Sequence, residues 1–425
     1  MLNLKDFTQD LKSLVAINSV FSTPKKDMPF GEGPALALNV FLQIASRLGF
    51  KTINYNNYIG ELSVGSGEEV GIIGHVDIVP AGDGWLTDPF VLTEKEGVLY
   101  GRGTSDDKGP LLACLYALKS VVDSGIKFNR KIKFYVGTNE ESGWDDIEYF
   151  KKNNGFPLYG FSPDGCFPVI YAEKGMYKAT FYLPKLKHFS FIKGGTAINA
   201  VCDRCECKPL NNISSTELNA LAQKFGLIID KGTIISNGVS AHGSRPNLGK
   251  NAILPLMQFF KACGEDVQKI IDCFFNDVHG IFEMKNEQGD VTISPDLIWE
   301  DEKGICLACD LRIPAPFTLS EVTKKLDCFG FEYNVEELQP PTLSNKDSWF
   351  VRALLDAYNS TTKENALPKS MCGSTFARAF KYGCAFGGSF PNTPSVAHVP
   401  NENVSIKDYI NMYNIYKQAI INIVR

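Results

Sequence analysis

The stretch VGIIGHVDIVP, residues 70–80, indicates the fold class and contains the first candidate functional residues. Its first five residues are apolar or small, as in a short buried strand, and Pro80 ends the segment in a turn. His75 and Asp77 come where the strand gives way to that turn. Open α/β sheets place their functional sites in the loops at strand ends, so we take these two residues as candidate site residues.

Strand and helix patterns alternate on both sides of this segment. ALALNVFLQIASRLGF (35–50) predicts a helix that ends near Gly49. GPLLACLYALKSVVDSG (109–125) predicts a helix with Pro110 near its first turn, where proline is tolerated. RKIKFYVGTNEE (130–141) predicts another strand. Such alternation is typical of an α/β domain, and we expect a mainly parallel sheet with helices on both faces.

The pattern changes between about Tyr177 and about Pro340. Strand patterns of period two alternate there with helical patterns, in segments such as DVTISPDLIWE, GICLACDLRIP, NAILPLMQFFKAC and SEVTKKLDCF. This mixture predicts an inserted α+β domain. We therefore expect residues 1–176 and 341–425 to form one domain and residues 177–340 to form the insert.

Composition and charge narrow the class of protein. The chain has 425 residues, of which 44% are hydrophobic and 21% are charged, so it can bury a large core. Its net charge is -5, from 43 basic and 48 acidic residues. Because no basic surplus exists to meet phosphates, we expect no nucleic-acid partner.

The N-terminal segment MLNLKDFTQDLKSLVAINSV carries information about location. Its apolar residues recur at helical spacing with charges between them, whereas a signal peptide has an uninterrupted apolar stretch. No run elsewhere is long enough to cross a membrane. We therefore expect a cytoplasmic protein without a membrane partner.

Twelve cysteines raise the question of disulfides or of a structural zinc site. Two CxxC spacings occur, at Cys202/Cys205 and at Cys306/Cys309. Disulfides are uncommon in a large chain without a signal peptide. Cys306 and Cys309 lie at an odd separation in a strand pattern, which directs their side chains to opposite faces. We therefore interpret these cysteines as small buried hydrophobic residues.

A series of polar residues lies at strand ends or in Gly/Pro-marked turns. Each member has an ordinary structural explanation, as a helix N-terminus, an acidic turn or an isolated histidine. Three or more carboxylates and two imidazoles, however, cannot pack together without compensating charge. Divalent metal ions are the natural compensation, and two ions suit the ligand count better than one. The series is His75, Asp77, Asp106, Glu140, Glu141, Asp164 and His398.

Longer motifs around these residues resemble a known family. GHVDIVPAGDGW, GRGTSDDKGP, TNEESGW, SPDGCFPVIYAEKG, SAHGSRP and AHVPNE are similar to motifs of the bacterial dipeptidase V group. That group belongs to the di-zinc aminoacylase/carnosinase-type metallopeptidases. The resemblance extends from the N-terminal helix to the C-terminal helix, and SPDGCFPVIYAEKG and GDGW favour the dipeptidase branch over the deacetylase branches.

The resemblance implies two metal sites that share one ligand. Asp106 would bridge the two ions, because the family pattern places the bridging aspartate directly before x-Lys-Gly, often with a cis peptide bond after it. His75 and Asp164 would complete one site, and Glu141 and His398 would complete the other. The implied cofactors are two divalent ions, zinc first, with manganese or cobalt as alternatives because carboxylate-rich sites accept several metals.

The resemblance also implies the groups that act on the substrate. Glu140 would be the general base, and Asp77 would orient His75. The insert resembles the family's lid domain, and His242 in SAHGSRP would meet the substrate carbonyl oxygen.

Further lid and loop positions would contact the substrate. Arg312 suits a free carboxylate, because its planar fork can bind one bidentately. Two departures from the family pattern put substrate details in question: Ser374 stands where glycine is usual, and Ala-Val-Cys follows Asn199 in place of Val-Pro. The implied substrate-binding residues are Asn199, Arg312, Gly373 and Ser374.

These expectations describe a metal-dependent dipeptidase that acts on small peptides with a free C-terminal carboxylate. One alternative is an N-acyl amino acid amidohydrolase with the same metal site. Another is a non-catalytic, metal-dependent peptide-binding protein, against which Glu140 argues because binding needs no base. The insert is longer than a small ββαββ unit requires, so we expect His242 to serve its own subunit and catalysis not to need a dimer.

Overall fold

The structure is a computed structural model that describes residues 1–210, 215–302 and 304–425. The chain divides into two compact units. Unit 1 consists of Met1–Tyr171, Thr342–Lys369 and Ser374–Arg425, and unit 2 consists of Ala172–Pro341 and Ser370–Gly373. A long insertion therefore separates the segments that build unit 1.

The first part of the chain alternates strands with helices. Its elements are α1 (Leu4–Val15), α2 (Glu32–Arg47), β1 (Thr52–Tyr55), β2 (Ile59–Val64), β3 (Glu68–His75), β4 (Thr93–Lys95), β5 (Val98–Tyr100), α3 (Lys108–Asp123), β6 (Arg130–Gly137), α4 (Asp145–Asn153), β7 (Tyr159–Ser162) and β8 (Ile170–Glu173).

The insertion is richer in strands. Its elements are β9 (Gly175–Leu183), β10 (Phe189–Gly194), β11 (Arg204–Pro209), α5 (Ser215–Lys224), β12 (Ile228–Asp230), β13 (Thr233–Asn237), α6 (Ile253–Ala262), α7 (Gln268–Phe274), β14 (Lys285–Asn286), β15 (Gly289–Asp290), β16 (Thr292–Glu300), β17 (Ile305–Ile313), α8 (Leu319–Asp327) and β18 (Glu332–Gln339). A short 3-10 helix covers Pro246–Leu248.

The last part of the chain ends in a long helix. Its elements are β19 (Thr342–Leu343), α9 (Trp349–Thr362), β20 (Lys369–Met371), β21 (Tyr382–Ala385), β22 (Asn403–Ser405) and α10 (Ile406–Val424). Another 3-10 helix covers Phe376–Ala379. Among the described helices, none is long and apolar enough to cross a membrane.

The main sheet of unit 1 has the strand order β1-β2-β6-β3-β7-β21-β8-β19. Its central strands β6, β3, β7 and β21 are parallel neighbours. The pairs β1/β2, β2/β6 and β21/β8 are antiparallel. The predicted α/β class is confirmed, and its parallel part is the centre of a mixed sheet.

Both faces of this sheet are packed, as two glycines of β3 show. Gly74 lies so close to Leu111 of α3 that an added Cβ would be 2.7 Å from the leucine side chain. On the opposite face, an added Cβ at Gly71 would be 2.1 Å from the ring of Phe380. Because β3 is covered on both sides, its C-terminal residue His75 is fixed at a buried edge of the sheet.

Unit 2 is built on an antiparallel sheet with the order β12-β13-β11-β10-β16-β17-β9-β18. Apolar residues of α5, α6, α7 and α8 pack on the strands in one core cluster. Cys202, Cys205, Cys207 and Cys309 belong to this cluster, and Cys306 is buried outside it. The cysteines therefore occupy the positions of small hydrophobic residues, with Cys306 and Cys309 on different sides of β17.

Candidate active site

His75 and His398 lie on either side of the Asp106 carboxylate in unit 1. The Nε2 atom of His75 is 3.1 Å from Asp106 Oδ1, and the Nε2 atom of His398 is 3.0 Å from Asp106 Oδ2. His75 Nε2 also lies 3.9 Å from Asp164 Oδ2, and His398 Nε2 lies 3.1 Å from Glu141 Oε2. Asp106 thus presents one oxygen to each histidine, and each histidine has a second carboxylate beside it.

The neighbouring aspartate, Asp107, has a different environment. Its side chain is fully buried, and its Oδ2 accepts a hydrogen bond from the backbone N–H of His75 at 3.3 Å. The peptide bond between Asp106 and Asp107 is cis, as the resemblance implied. Of the two adjacent carboxylates, Asp106 is therefore the one that lies against both histidines.

Asp77 organises the turn that carries Glu140 and Glu141. Its Oδ1 accepts a hydrogen bond from the backbone N–H of Glu140 at 3.1 Å, and its Oδ2 accepts one from Glu141 at 3.0 Å. On the other side, His75 Nδ1 lies 3.0 Å from the Asp77 carbonyl oxygen and 3.4 Å from Oδ1. If Nδ1 carries the ring proton, Nε2 presents a lone pair towards Asp106, as metal ligation by a neutral imidazole requires.

The acidic groups of this cluster strongly perturb one another. Burial, together with the negative charges of Asp164 and Glu141, raises the pKa of Glu140 well above its usual range. Burial and the charge of Asp106 likewise raise the pKa of Glu141. Hydrogen bonds to Asp106 and Glu141 raise the pKa of His398 to about 11. The cluster therefore concentrates negative charge in a poorly solvated place, which is an environment that favours a cation.

The donor atoms suit divalent metal ions. The ligand atoms of His75, Asp106 and Glu141 lie within 4.8 Å of one another. Imidazole nitrogen and carboxylate oxygen are ligands that zinc and related ions accept. Since Asp106 offers a separate oxygen to each histidine side, the residues present fit a pair of ions that share this carboxylate better than a single ion.

Glu402 is a functional candidate that the sequence analysis did not identify, although it lies in the quoted motif AHVPNE. It is fully buried. Its Oε1 accepts hydrogen bonds from the backbone N–H groups of Ser105 at 2.6 Å and Asp106 at 3.1 Å. Its Oε2 accepts from Gly103 N at 3.1 Å and from Arg102 Nη1 at 2.7 Å. Glu402 thus fixes the backbone of the loop that carries Asp106.

In unit 2, the loops of Asn199 and His242 are joined. The backbone N–H of Gly243 donates to the carbonyl oxygen of Asn199 at 2.7 Å, and Ala200 forms an isolated bridge with His242. The backbone N–H of Ser244 donates to His242 Nδ1 at 3.1 Å. A neutral ring that accepts at Nδ1 carries its proton at Nε2, so His242 is prepared to donate a hydrogen bond from that atom.

Arg312 lies beside the same loops, in a buried ion pair. Its Nε and Nη2 donate to the two carboxylate oxygens of Asp310 at 2.7 and 2.9 Å, and its Nη1 donates to the carbonyl oxygen of Cys372 at 3.2 Å. Gly243 covers this pair so closely that an added Cβ would be 2.7 Å from Asp310 Oδ2. Unit 2 therefore brings Asn199, His242 and Arg312 together.

The remaining predicted contacts lie in the loop after Cys372. Gly373 belongs to unit 2 and Ser374 to unit 1. The Oγ atom of Ser374 is buried, and it has no hydrogen-bond partner among the residues that the structure describes. A buried hydroxyl in that state is suited to a polar ligand, since an unsatisfied buried polar group costs free energy.

Comparison with known proteins identifies relatives over nearly the whole chain. The sequence model of peptidase family M20/M25/M40 matches residues 71–422. A Staphylococcus aureus (strain MW2) protein named "Putative dipeptidase" is 32% identical over 450 residues, covering 97% of this chain and 95% of its own length.

Solved structures share the fold at low sequence identity. Human carnosine dipeptidase 1 superposes with a TM-score of 0.61 at 18% identity, covering 99% of this chain and 96% of that chain. A Bacillus subtilis protein described as a dinuclear metal binding peptidase from the M20 family superposes with a TM-score of 0.54 at 8% identity, covering 99% of each chain. At these identities the likeness shows the fold alone.

Proposed function

Because the chain belongs to peptidase family M20/M25/M40, and is therefore a hydrolase, we propose that it is a dipeptidase of the dipeptidase V group. Its substrates are dipeptides with a free C-terminal carboxylate. The observation that carries this proposal is the Asp106 carboxylate, which lies between His75 and His398 with Glu140 in the same acidic cluster. The dipeptidase name of the Staphylococcus aureus relative and the longer sequence motifs support the substrate class.

Two divalent ions complete the site in this proposal, zinc first, with manganese or cobalt as alternatives. His75 and Asp164 would hold one ion, Glu141 and His398 would hold the other, and Asp106 would serve both. When bound, such ions polarise a substrate carbonyl and lower the pKa of a water molecule. The description of the Bacillus subtilis structure as a dinuclear metal binding peptidase supports a pair of ions.

Glu140 is the general base of the proposed reaction. It takes a proton from the attacking water and then gives that proton to the leaving amine of the cleaved peptide bond. A group that does both needs a pKa near the working pH, and burial among carboxylates raises the pKa of Glu140 in that direction. Asp77 keeps Glu140 and its neighbour Glu141 in distinct positions through the two backbone hydrogen bonds to their turn.

Unit 2 is the substrate-binding lid in this proposal. His242 donates its Nε2 proton to the carbonyl oxygen as negative charge develops there, which is the usual way in which a preorganised donor stabilises a transition state. Arg312 binds the C-terminal carboxylate, held in orientation by Asp310. Asn199, Gly373 and Ser374 contribute further substrate contacts.

Separate substitutions of the two adjacent glutamates by glutamine test which one is the base and which one is the metal ligand. Glu140→Gln should bind metal as the unmodified protein does and lose turnover by about 10²–10⁴-fold, because a positioned general base contributes that much to the rate. Glu141→Gln should instead bind metal more weakly, because it removes a proposed ligand. Metal content is measured by elemental analysis after dialysis, and turnover is measured by amino acid release from a dipeptide panel with added zinc, manganese or cobalt.

The same panel separates the proposal from its alternatives. N-acetyl amino acids serve as comparison substrates, and preferential cleavage of these would indicate an amidohydrolase. Loss of metal in Glu140→Gln together with a harmless Glu141→Gln would reverse the two roles. A wild-type protein that binds metal and dipeptides without cleaving them would be a binding protein.

A further inference from the structure

Unit 2 contains a cavity of about 740 Å³ beside the start of β16. Thr292, Ser294 and Pro295 are among the residues that line it. On one side β16 is paired with β17 along its length, but on the other side its registered pairing with β10 is at Ile298 and Trp299. Within the described residues, the cavity therefore lies along a stretch of sheet edge that no neighbouring strand covers.

Some residues that line the cavity contact or neighbour the proposed substrate-binding residues His242 and Arg312. Ser244 lines the cavity, and its Oγ atom is 2.7 Å from Nδ1 of His242. Cys372 also lines it and accepts a hydrogen bond from Arg312 through its carbonyl oxygen. Thr292 is the register partner of Arg312 across β16 and β17. These separate contacts connect the cavity to both the proposed carbonyl donor and the proposed carboxylate site.

About half of the side chains that line the rest of the cavity are apolar, and three of these are phenylalanines. Phe274, Phe275, Phe282, Leu248 and Ile293 line it. The charged groups there are Asp290, Arg245 and Lys174, and Lys174 Nζ donates to the Asp290 carbonyl oxygen at 2.6 Å and lies 3.8 Å from its Oδ1. An aromatic wall with polar groups beside it can bind an apolar side chain and fix its orientation.

We propose that this cavity binds the side chain of the C-terminal residue of the dipeptide and selects large apolar side chains. The inference rests on the proposed function, because it takes Arg312 as the carboxylate site. The carboxylate and the side chain of that residue share one Cα, so a carboxylate held at Arg312 brings the side chain next to the cavity. The volume accommodates a leucine or phenylalanine side chain, whose transfer from water to an aromatic wall is favourable.

The test compares dipeptides that differ at one end only. In the wild type, kcat/KM should be at least about tenfold higher for Ala-Phe than for Ala-Gly, since burying a large apolar side chain against the aromatic part of the wall discriminates by that order. Phe282→Ala removes part of the wall, and Asn247→Trp narrows the cavity from an exposed lining position. Both should lower the ratio of kcat/KM for Ala-Phe to that for Ala-Gly by about tenfold. Val278→Ala changes an exposed residue outside the lining and should keep the wild-type ratio.

The reversed dipeptides Phe-Ala and Gly-Ala show which end occupies the cavity. The ratio of kcat/KM for Phe-Ala to that for Gly-Ala should be the same in the wild type, Phe282→Ala and Asn247→Trp. Thermal unfolding verifies that each variant is folded. If the variants lower the kcat/KM ratio equally for both pairs of dipeptides, the effect is structural. If they lower it only for Phe-Ala against Gly-Ala, the cavity binds the N-terminal side chain. Either result overturns the inference. Dipeptide hydrolysis without a size preference overturns this subsite alone. Absence of hydrolysis for every dipeptide overturns the proposed function as well.

Discussion

Glu402 is far from Asp106 in the sequence, but its carboxylate accepts a hydrogen bond from the backbone N–H of Asp106. A buried carboxylate that accepts from consecutive backbone N–H groups fixes a loop more firmly than a surface contact does, because its charge is paired and its lone pairs are filled. Removing a group that holds a metal ligand in place typically lowers metal affinity about 10–100-fold. Glu402 should therefore determine where the Asp106 carboxylate lies.

Glu402→Gln tests this role. The amide NH2 would face backbone N–H donors, and Arg102 would lose its buried charge partner. We expect metal affinity to fall about 10–100-fold and the free energy of unfolding to fall by about 3–5 kcal/mol. Chelator competition measures the first and denaturant unfolding the second. Glu94→Gln, at an exposed glutamate of β4, is the control. If the variant unfolds more easily but binds metal as tightly as the wild type, Glu402 has a structural role only.

Arg312→Ala tests the carboxylate site. KM should rise by roughly 30-fold or more for dipeptides with a free C-terminus, because a hydrogen-bonded charge pair that loses one partner costs about 2–5 kcal/mol. The effect should be much smaller for C-terminally amidated dipeptides. Asp310→Asn should change KM in the same direction, because Asp310 holds the guanidinium in place. An equal loss for free and amidated substrates would leave Arg312 a structural role only.

At the scale of elements, the parallel strands β3 and β7 are joined through one aromatic ring. Gly71 and Gly160 are register partners on these strands. Phe380 lies over both, so that an added Cβ would be 2.1 Å from its ring at Gly71 and 2.4 Å at Gly160. Since β3 ends at His75 and β7 leads into the turn of Asp164, this packing sets the spacing of two proposed metal ligands.

Gly160→Ala should destabilise unit 1 by about 1–3 kcal/mol, because overpacking a buried site forces a side chain or a strand to move. Urea unfolding measures the change. The double variant Gly160→Ala/Phe380→Leu is the matched comparison, since the smaller side chain makes room for the added methyl group. It should lose less stability than the sum of the two single variants. Strict additivity would show that Phe380 is not the group that Gly160 accommodates.

At the scale of the whole molecule, the question is whether one chain carries a complete site. The proposal assigns Glu140 to unit 1 and His242 to unit 2 of the same chain. Mixing the two inactive variants Glu140→Gln and His242→Ala, under refolding conditions that allow subunits to exchange, should recover no activity. Substantial recovered activity would mean that His242 acts on a partner subunit. Size-exclusion chromatography of the mixture verifies that the refolded chains are native-like.

The sequence alone determined the features that depend on local chemistry. Hydrophobic periodicity predicted the alternation of β3, α3 and β6, because the period of burial differs between strands and helices. The end of a strand pattern at His75 predicted a candidate ligand at the sheet edge. The odd spacing of Cys306 and Cys309 in one strand pattern argued against a shared zinc site, and both residues are buried, as interpreted. Each of these inferences uses neighbours only a few residues apart.

Only the tertiary structure decided which distant groups meet. Glu402 is 296 residues from Asp106, and no local pattern pairs its carboxylate with that backbone N–H. The antiparallel strands around the parallel centre of the sheet were likewise not encoded in any single segment, because pairing direction depends on the path of the chain between strands. The cavity beside Arg312 likewise arises from packing in three dimensions, because segments far apart in the sequence line it and an uncovered sheet edge leaves space there for a side chain.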